Sequence, residues 1–286
     1  MNKTMRALFM ASLGGVVFLL ASSSHALEFS RSGGTFTMSG PVLSGDAERF
    51  IDAYVEWDQP PNIFYINSPG GDVGEAMLIG LFIRESQTPV WSGPVCNSAC
   101  ALIFVAGVER LAIGGIGLHR PKFPSSYYAG LSSRDAAKAY TRGVEAITEY
   151  MQSMGVSQAV IDRMYQADSG QMDILSPDES IRVFGQRIPF YEEWIAAKCG
   201  RFSGRYAHAA HELLGIERID FSTSVGKEQV YQHIEKLKAK GSKTPDVMGE
   251  PEFANAWHKY QACVMQAEDS HVRAFFKAIQ KRVAQQ

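Results

Sequence analysis

The run Ile63-Phe64-Tyr65-Ile66, followed at once by Asn67-Ser68-Pro69-Gly70-Gly71-Asp72, constrains this chain more than any other segment. An unbroken apolar run offers no polar face to solvent. It reads as a strand buried on both sides, the kind found in parallel sheets covered by helices. The Asn67-to-Asp72 stretch is a turn, and residues 73–85 read as the helix that follows it. The same alternation extends both ways. Residues 36–42 read as a strand and residues 46–57 as a helix, with Phe50, Tyr54 and Val55 near helical spacing. Asp58-Gln59-Pro60-Pro61 breaks that helix. Further on, Pro89-Val90-Trp91 is a short strand, residues 98–107 an apolar helix, and residues 111–113 and 116–118 strands again. Strands alternating with helices predict an α/β domain with a mostly parallel, buried sheet.

Two helical segments come next. Ser133 reads as the N-cap of one, with Tyr140, Val144, Ile147, Met151 and Met154 on one face and Gly155 as the stop. Ser157 caps the other, which carries Val160, Ile161 and Met164. Beyond about residue 190 the pattern becomes wholly helical. Val230, Ile234 and Leu237 mark one amphipathic helix. Phe253, Trp257, Tyr260, Val264, Phe275 and Ile279 mark a longer one, with residues 241–251 as linker. The chain thus divides into residues 1–26, an α/β domain over 27–190 and a helical C-terminal region over 191–286.

The first of these pieces reads as a secretory signal peptide. Lys3 and Arg6 form a positive start, residues 7–21 are apolar or small, and Ser24-His25-Ala26 places small residues at the −3 and −1 positions. Cleavage is expected after Ala26. The apolar run is shorter than the ~20 residues a spanning helix needs, although an uncleaved anchor is the alternative. Export to the periplasm or beyond makes Cys96, Cys100, Cys199 and Cys263 potential disulfide partners. Four cysteines allow three connectivities. Cys96 and Cys100 lie about one helical turn apart, within bridging reach if Cys96 sits at or just before a helix start, and Cys199 and Cys263 would then pair. Free buried thiols are the alternative. His208 and His211 after Cys199 make only a weak metal-ligand grouping, so no metal and no cofactor are expected. A formal net charge of −2 leaves no basic excess for a phosphate backbone, which argues against nucleic-acid binding.

Three segments carry chemistry. Glycines directly after a buried strand let backbone N–H groups approach a ligand without a Cβ in the way. Such N–H groups can hold an oxyanion. In Cys96-Asn97-Ser98-Ala99-Cys100, Ser98 stands where an apolar helix begins, so its Oγ and the Ala99 N–H sit near the positive end of that helix. Taken alone, a serine there is an ordinary N-cap. In Gly117-Leu118-His119-Arg120-Pro121, a histidine ends a buried strand, where it can face a cleft as a general base or serve as a satisfied structural side chain.

As an ordered set, these segments resemble the Clp protease proteolytic subunit and its wider Clp/crotonase-like fold. The resemblance rests on Tyr65-Ile66-Asn67-Ser68-Pro69-Gly70-Gly71, on Ser98 among small neighbours before a helix, on Ala106-Gly107, and on His119 at a strand end. It spans about residues 41–188. It implies a repeated ββα spiral core, here with a C-terminal helical extension. It also implies Ser98 as nucleophile, His119 as general base, and Ala99 with Gly71 or Gly70 as oxyanion donors. A serine hydroxyl needs such a base, and the base needs an orienting partner, usually a carboxylate. In the family that aspartate precedes a Leu-Ser-Ala segment and a short helix ending in glycine. Anchored on Leu175-Ser176, the position falls on Met172. Anchored on Gly185, it falls on Asp173, which is taken as the third member. Asp168 is a further candidate, and a dyad or an inactive site remain open.

The expected activity is that of an exported serine hydrolase, a peptidase acting on peptide or protein substrates. The Cys96/Cys100 bracket departs from the cytosolic pattern, and a bridge there would pin the turn carrying Ser98. The loops that dock an unfolding ATPase are not recognisable, and ATP is lacking outside the cytoplasm, so no ATPase partner is expected. Relatives assemble through the helical arm after the histidine, here about residues 133–168, so a homo-oligomer is a further expectation. The competing readings are an inactive Clp-like binding or assembly module, acyl-CoA chemistry of the crotonase kind, and a Ser–Lys peptidase using Lys122.

Overall fold

The computed structural model describes residues 26–168, 170–213 and 224–285. The stretch read as a leader lies outside the described residues, apart from Ala26 itself.

Strands β1 (Glu28–Ser32), β2 (Thr35–Ser39), β3 (Ile63–Ser68), β4 (Val90–Asn97), β5 (Arg110–Ala112), β6 (Gly115–Leu118) and β7 (Asp173–Leu175) form one seven-stranded sheet. Its order is β1-β2-β3-β4-β6-β7, with β5 beside β4. The inner pairings β2–β3, β3–β4, β4–β5 and β4–β6 are all parallel, while β1–β2 and β6–β7 at the two edges are antiparallel. The molecule is therefore α/β with a mixed sheet. β3 lies at its middle, and Ile63, Phe64 and Ile66 are buried as the apolar run requires. Fully burying a side chain of this kind contributes about 2 kcal/mol.

Helices α1 (Asp46–Val55), α2 (Val73–Ser86) and α3 (Ala99–Phe104) follow β2, β3 and β4 in turn. Asp72 caps α2, its Oδ1 accepting from the Glu75 N–H at 3.0 Å. After β6 come α4 (Ser125–Tyr128), α5 (Ser133–Ser153) and α6 (Gln158–Gln166), then β7 and α7 (Pro177–Phe184). The N-cap of α5 is Ser132, not Ser133: the Ser132 Oγ accepts from the Asp135 N–H at 3.2 Å. Gly155 ends this region with φ 77°, the left-handed conformation glycine adopts freely.

The C-terminal region holds α8 (Pro189–Cys199), α9 (Arg205–Glu212), α10 (Ser224–Ala239), α11 (Thr244–Met248) and α12 (Pro251–Val283). Residues 241–251 are thus not a bare linker, because α11 lies within them and buries Thr244 and Val247. This region does not stand apart from the sheet. Phe276 and Ile279 of α12 belong to the main core, and Phe276 packs edge-on against Tyr54 of α1 with ring centroids 5.2 Å apart. Val264 joins Val108, Ile188, Tyr191 and Ile195 in a second cluster, while Phe253 and Trp257 join Ala209, Leu213 and Leu237 in a third.

Two disulfides are present, Cys96–Cys100 and Cys199–Cys263. The second ties α8 to α12. Such bridges fit an oxidising, extracytoplasmic compartment. Among the described residues no helix is long and apolar enough to cross a membrane.

Candidate active site

The site forms where β3, β4 and β6 end side by side. β4 runs on to Asn97, well past the Trp91 at which the sequence suggests it stops. Cys96 pairs with Ser68 of β3 on one side and with Ile116 of β6 on the other. This extension carries Ser98 to the ends of its neighbours. The backbone there is tightly specified: the Ser98 N–H donates to Gly117 O at 2.8 Å, and Ser98 O accepts from the Ala101 N–H at 2.8 Å. Between these anchors Ser98 takes φ 57° and ψ −122°. A non-glycine residue avoids this region, at a cost of order 1–3 kcal/mol, unless its surroundings impose it.

The consequence is chemical. Ser98 precedes α3, yet its side chain makes no cap hydrogen bond. The hydroxyl turns instead to His119, with Oγ and Nε2 2.7 Å apart. His119 follows directly on β6, whose Gly115, Ile116 and Gly117 pair with Val95, Cys96 and Asn97. That register sets the imidazole beside the serine. The pairing leaves the hydroxyl to donate to Nε2 when the ring proton is on Nδ1.

The glycine bend closes the site from the other side. Gly70 has φ 100° and Gly71 φ 144°, both in the range side chains rarely adopt. A Cβ at Gly70 would lie 2.5 Å from Asn97 O and 2.7 Å from Ser98 Cβ, so only glycine fits against the serine. The two glycines are not equivalent as donors. The Gly70 N–H is taken by Ser68 Oγ at 3.1 Å. Val42 forms a parallel bridge with Gly71, donating to Gly70 O at 2.9 Å and accepting from the Asp72 N–H at 2.8 Å. In such a bridge the Gly71 N–H faces away from Val42. Ala99 is the first residue of α3, and its N–H belongs to the helix's unsatisfied first turn. Gly71, Ser98, Ala99 and His119 all line one cleft. Of the two glycines proposed as donors, Gly71 has the suitable placement and Gly70 does not.

The rest of the cleft is largely apolar, with Val73, Leu102, Leu118, Ile147, Met151 and Met164 in its wall. Lys122 reaches its rim, but the partner of the Ser98 hydroxyl is His119.

Asp173 is not joined to this pair. It sits opposite Leu118 in the β6–β7 register, one residue from His119. Its carboxylate faces Arg163 of α6 instead, Oδ2 taking Nε at 2.5 Å and Oδ1 taking Nη2 at 2.8 Å. The same guanidinium holds Glu179 at 2.6 Å and draws that carboxyl below its ordinary value. Asp168 is exposed and lies 4.0 Å from Arg120. Met172 packs at Gly117 and has no group to orient a base. His119 Nδ1 is buried and has no hydrogen-bond partner among the described residues. Arg120, adjacent in sequence, points to Asp168 and solvent rather than into the cleft. Sequence reasoning missed Arg163, because nothing in its spacing shows that it captures a carboxylate ten positions on.

Among the described residues no group of three or more His, Cys, Asp or Glu side chains is placed to hold a metal ion. No protein-family model matches this chain, and no curated protein is significantly similar to it.

Proposed function

We propose that this protein is an exported serine hydrolase of Clp-protease-like fold, a peptidase working through an acyl-enzyme on Ser98. One observation carries the reading: the Ser98 hydroxyl, at a helix start where capping is the ordinary role, is given to His119 at 2.7 Å instead. The glycine bend after a central parallel strand, the serine at the next helix start and the histidine at the end of β6 follow the order expected of a Clp/crotonase-like spiral. The two disulfides support a periplasmic or secreted location.

In the proposed reaction the Ser98 proton passes to His119 Nε2 as Oγ bonds to the substrate carbonyl carbon. The Gly71 and Ala99 N–H groups receive the oxyanion. The imidazolium then gives its proton to the leaving amine and the C–N bond breaks. Water enters, yields a proton to Nε2, and releases the acid while Oγ recovers its proton. The apolar wall of the cleft favours an apolar side chain on the acyl side of the scissile bond. No cofactor, nucleic acid or ATPase has a place in this scheme. Assembly through α5 and α6 would supply a homo-oligomer.

A fluorophosphonate probe should label the mature protein and spare Ser98→Ala. Equal labelling of both would remove Ser98 from its role. The Nδ1 of His119, without a partner among the described residues, favours a second reading, an inactive module that keeps the fold for binding or assembly. Absence of labelling, with no turnover of casein or simple esters, would select it.

A further inference from the structure

Leu27 is the residue that cleavage after Ala26 would make first in the mature chain. It is also fully buried, and its nitrogen lies 3.2 Å from Asp46 Oδ2. Asp46 is itself fully buried at the start of α1. Two independent observations therefore meet at one peptide bond: a cleavage pattern in the sequence and an internal carboxylate in the fold.

We infer that the amino terminus freed at Leu27 is an internal ion-pair partner of Asp46, and that this pair positions the Gly70-Gly71 bend of the active site. The inference rests on the proposed export and hydrolase activity. Hydrolysis of the Ala26–Leu27 bond by an export peptidase consumes one water. It leaves a carboxylate on Ala26 and an ammonium on Leu27. A nitrogen that was a neutral amide with one hydrogen becomes a cation with three, in the same place.

The surroundings suit that change. Asp46 Oδ1 receives Arg49 Nη1 at 2.5 Å, but the Arg49 side chain is about half exposed and shares its charge with solvent. Oδ2 takes Leu27 N and also the Leu43 N–H, at 2.7 Å. A buried carboxylate without a buried charge partner is costly. The other charged groups at this corner are Glu75 of α2, which accepts from the Ala47 N–H at 2.8 Å, and exposed Glu28 next to Leu27.

Leu43 supplies the link to chemistry. It holds the same Asp46 oxygen as Leu27, and its neighbour Val42 is bridged to Gly71. Gly70 O and the Asp72 N–H both bond Val42, which fixes the direction of the Gly71 N–H. The sequence of contacts runs from Leu27 through Asp46, Leu43 and Val42 to the proposed oxyanion donor. Asp46 acts as a positioning residue and touches no substrate.

The test compares two exported proteins with both disulfides formed, one beginning at Leu27 and one retaining Ser24-His25-Ala26. Amino-terminal sequencing of the naturally processed protein should read Leu27; a start elsewhere overturns the inference. The Leu27 form should unfold at a higher temperature, and the difference should vanish as pH rises through the titration of an α-amine held above its ordinary ~8. Fluorophosphonate labelling of the Leu27 form should be about fivefold or more faster, the scale of a typical coupling between sites. Its pH profile should carry that amine ionisation, absent from the extended form and from Asp46→Asn. Identical melting curves and pH profiles for the two forms overturn the ion pair. A melting difference without a labelling difference overturns the positioning role alone. A Leu27 form that melts as expected but is never labelled at Ser98 removes the hydrolase reading and the positioning role with it, and leaves the ion pair standing.

Discussion

Replacing Asp173 by Asn separates a structural carboxylate from a catalytic one. Asp173 gives both oxygens to Arg163, at 2.5 and 2.8 Å, with side chains 28% and 39% exposed. Partly solvated pairs of this kind contribute about 1 kcal/mol or less. The amide keeps one acceptor for the guanidinium but turns an NH2 toward it, so most of that contribution is lost. For a chain of this size the melting temperature should fall by about 2–4 °C. Catalysis should respond very differently from a triad. An aspartate that orients the base contributes roughly four orders of magnitude in turnover, and its amide forfeits them. Here His119 Nδ1 has no bond to Asp173 to lose. Turnover of an ester and the rate of fluorophosphonate labelling should therefore stay within about threefold of the parent. The assay is both rates on one preparation, alongside a melting curve. A loss of a thousandfold or more with an unchanged melting temperature would refute the reasoning and place Asp173 on the imidazole during turnover.

Other expectations follow from the same contacts. Removing the Cys96–Cys100 bridge with a Cys96→Ala/Cys100→Ala pair should slow labelling of Ser98 by roughly tenfold or more, since the bridge closes the turn that holds a disfavoured backbone conformation; unchanged labelling would show that hydrogen bonds alone hold the turn. Opening Cys199–Cys263 removes a constraint over a sequence separation of 64, worth about 4 kcal/mol in the chain-entropy account, and should lower the melting temperature while sparing the labelling rate. Arg110 is buried and donates to the carbonyls of Gly107, Phe184, Val105 and Met154; Arg110→Met strands these acceptors and should destabilise by more than about 3 kcal/mol in denaturant titration. Burial, and then the nearby Glu109, push the Glu268 carboxyl well above its ordinary value, with Arg187 opposing. The folded state thus binds this proton more tightly than the unfolded chain, so its contribution is present at low pH and lost as pH rises through the raised value. Glu268→Gln should flatten that part of a melting-temperature profile, and an unchanged slope would assign it to other groups.

The centre of the fold was readable from the chain and its edges were not. β3 announces itself because burial on both faces leaves no alternation to misread, and the glycines after it are demanded by positive φ. β1 escapes notice because Glu28–Ser32 carries one large apolar side chain, Phe29, and takes its place from pairing with β2. β4 reads as ending early because Ser92-Gly93-Pro94 has the composition of a turn. The strand continues there because β3 shifts register between Ile66 and Ser68 to meet it. Ser133 has the composition of a cap, but backbone geometry places the cap one residue earlier, at Ser132. In the site, the order of bend, serine and histidine could be seen in advance. Whether the Ser98 hydroxyl caps its helix or meets an imidazole could not, because that depends on one backbone torsion. The fate of Asp173 was decided by Arg163, a residue on a different element.

Helix α12 is 33 residues long and threads three separate apolar clusters, the last of them the aromatic core beneath α1 and α2. A chain emerging amino end first from an export channel would present the sheet, the bend and the serine long before Phe276 and Ile279 arrive. Until this end of α12 docks, Tyr54 of α1 lacks Phe276, Phe82 of α2 lacks the adjacent Phe275, and the half-made core stays open to water. If the chain is exported as proposed, it needs shelter for nearly the whole of its passage, and the proposed reaction centre gains its supporting core only when the last helix docks.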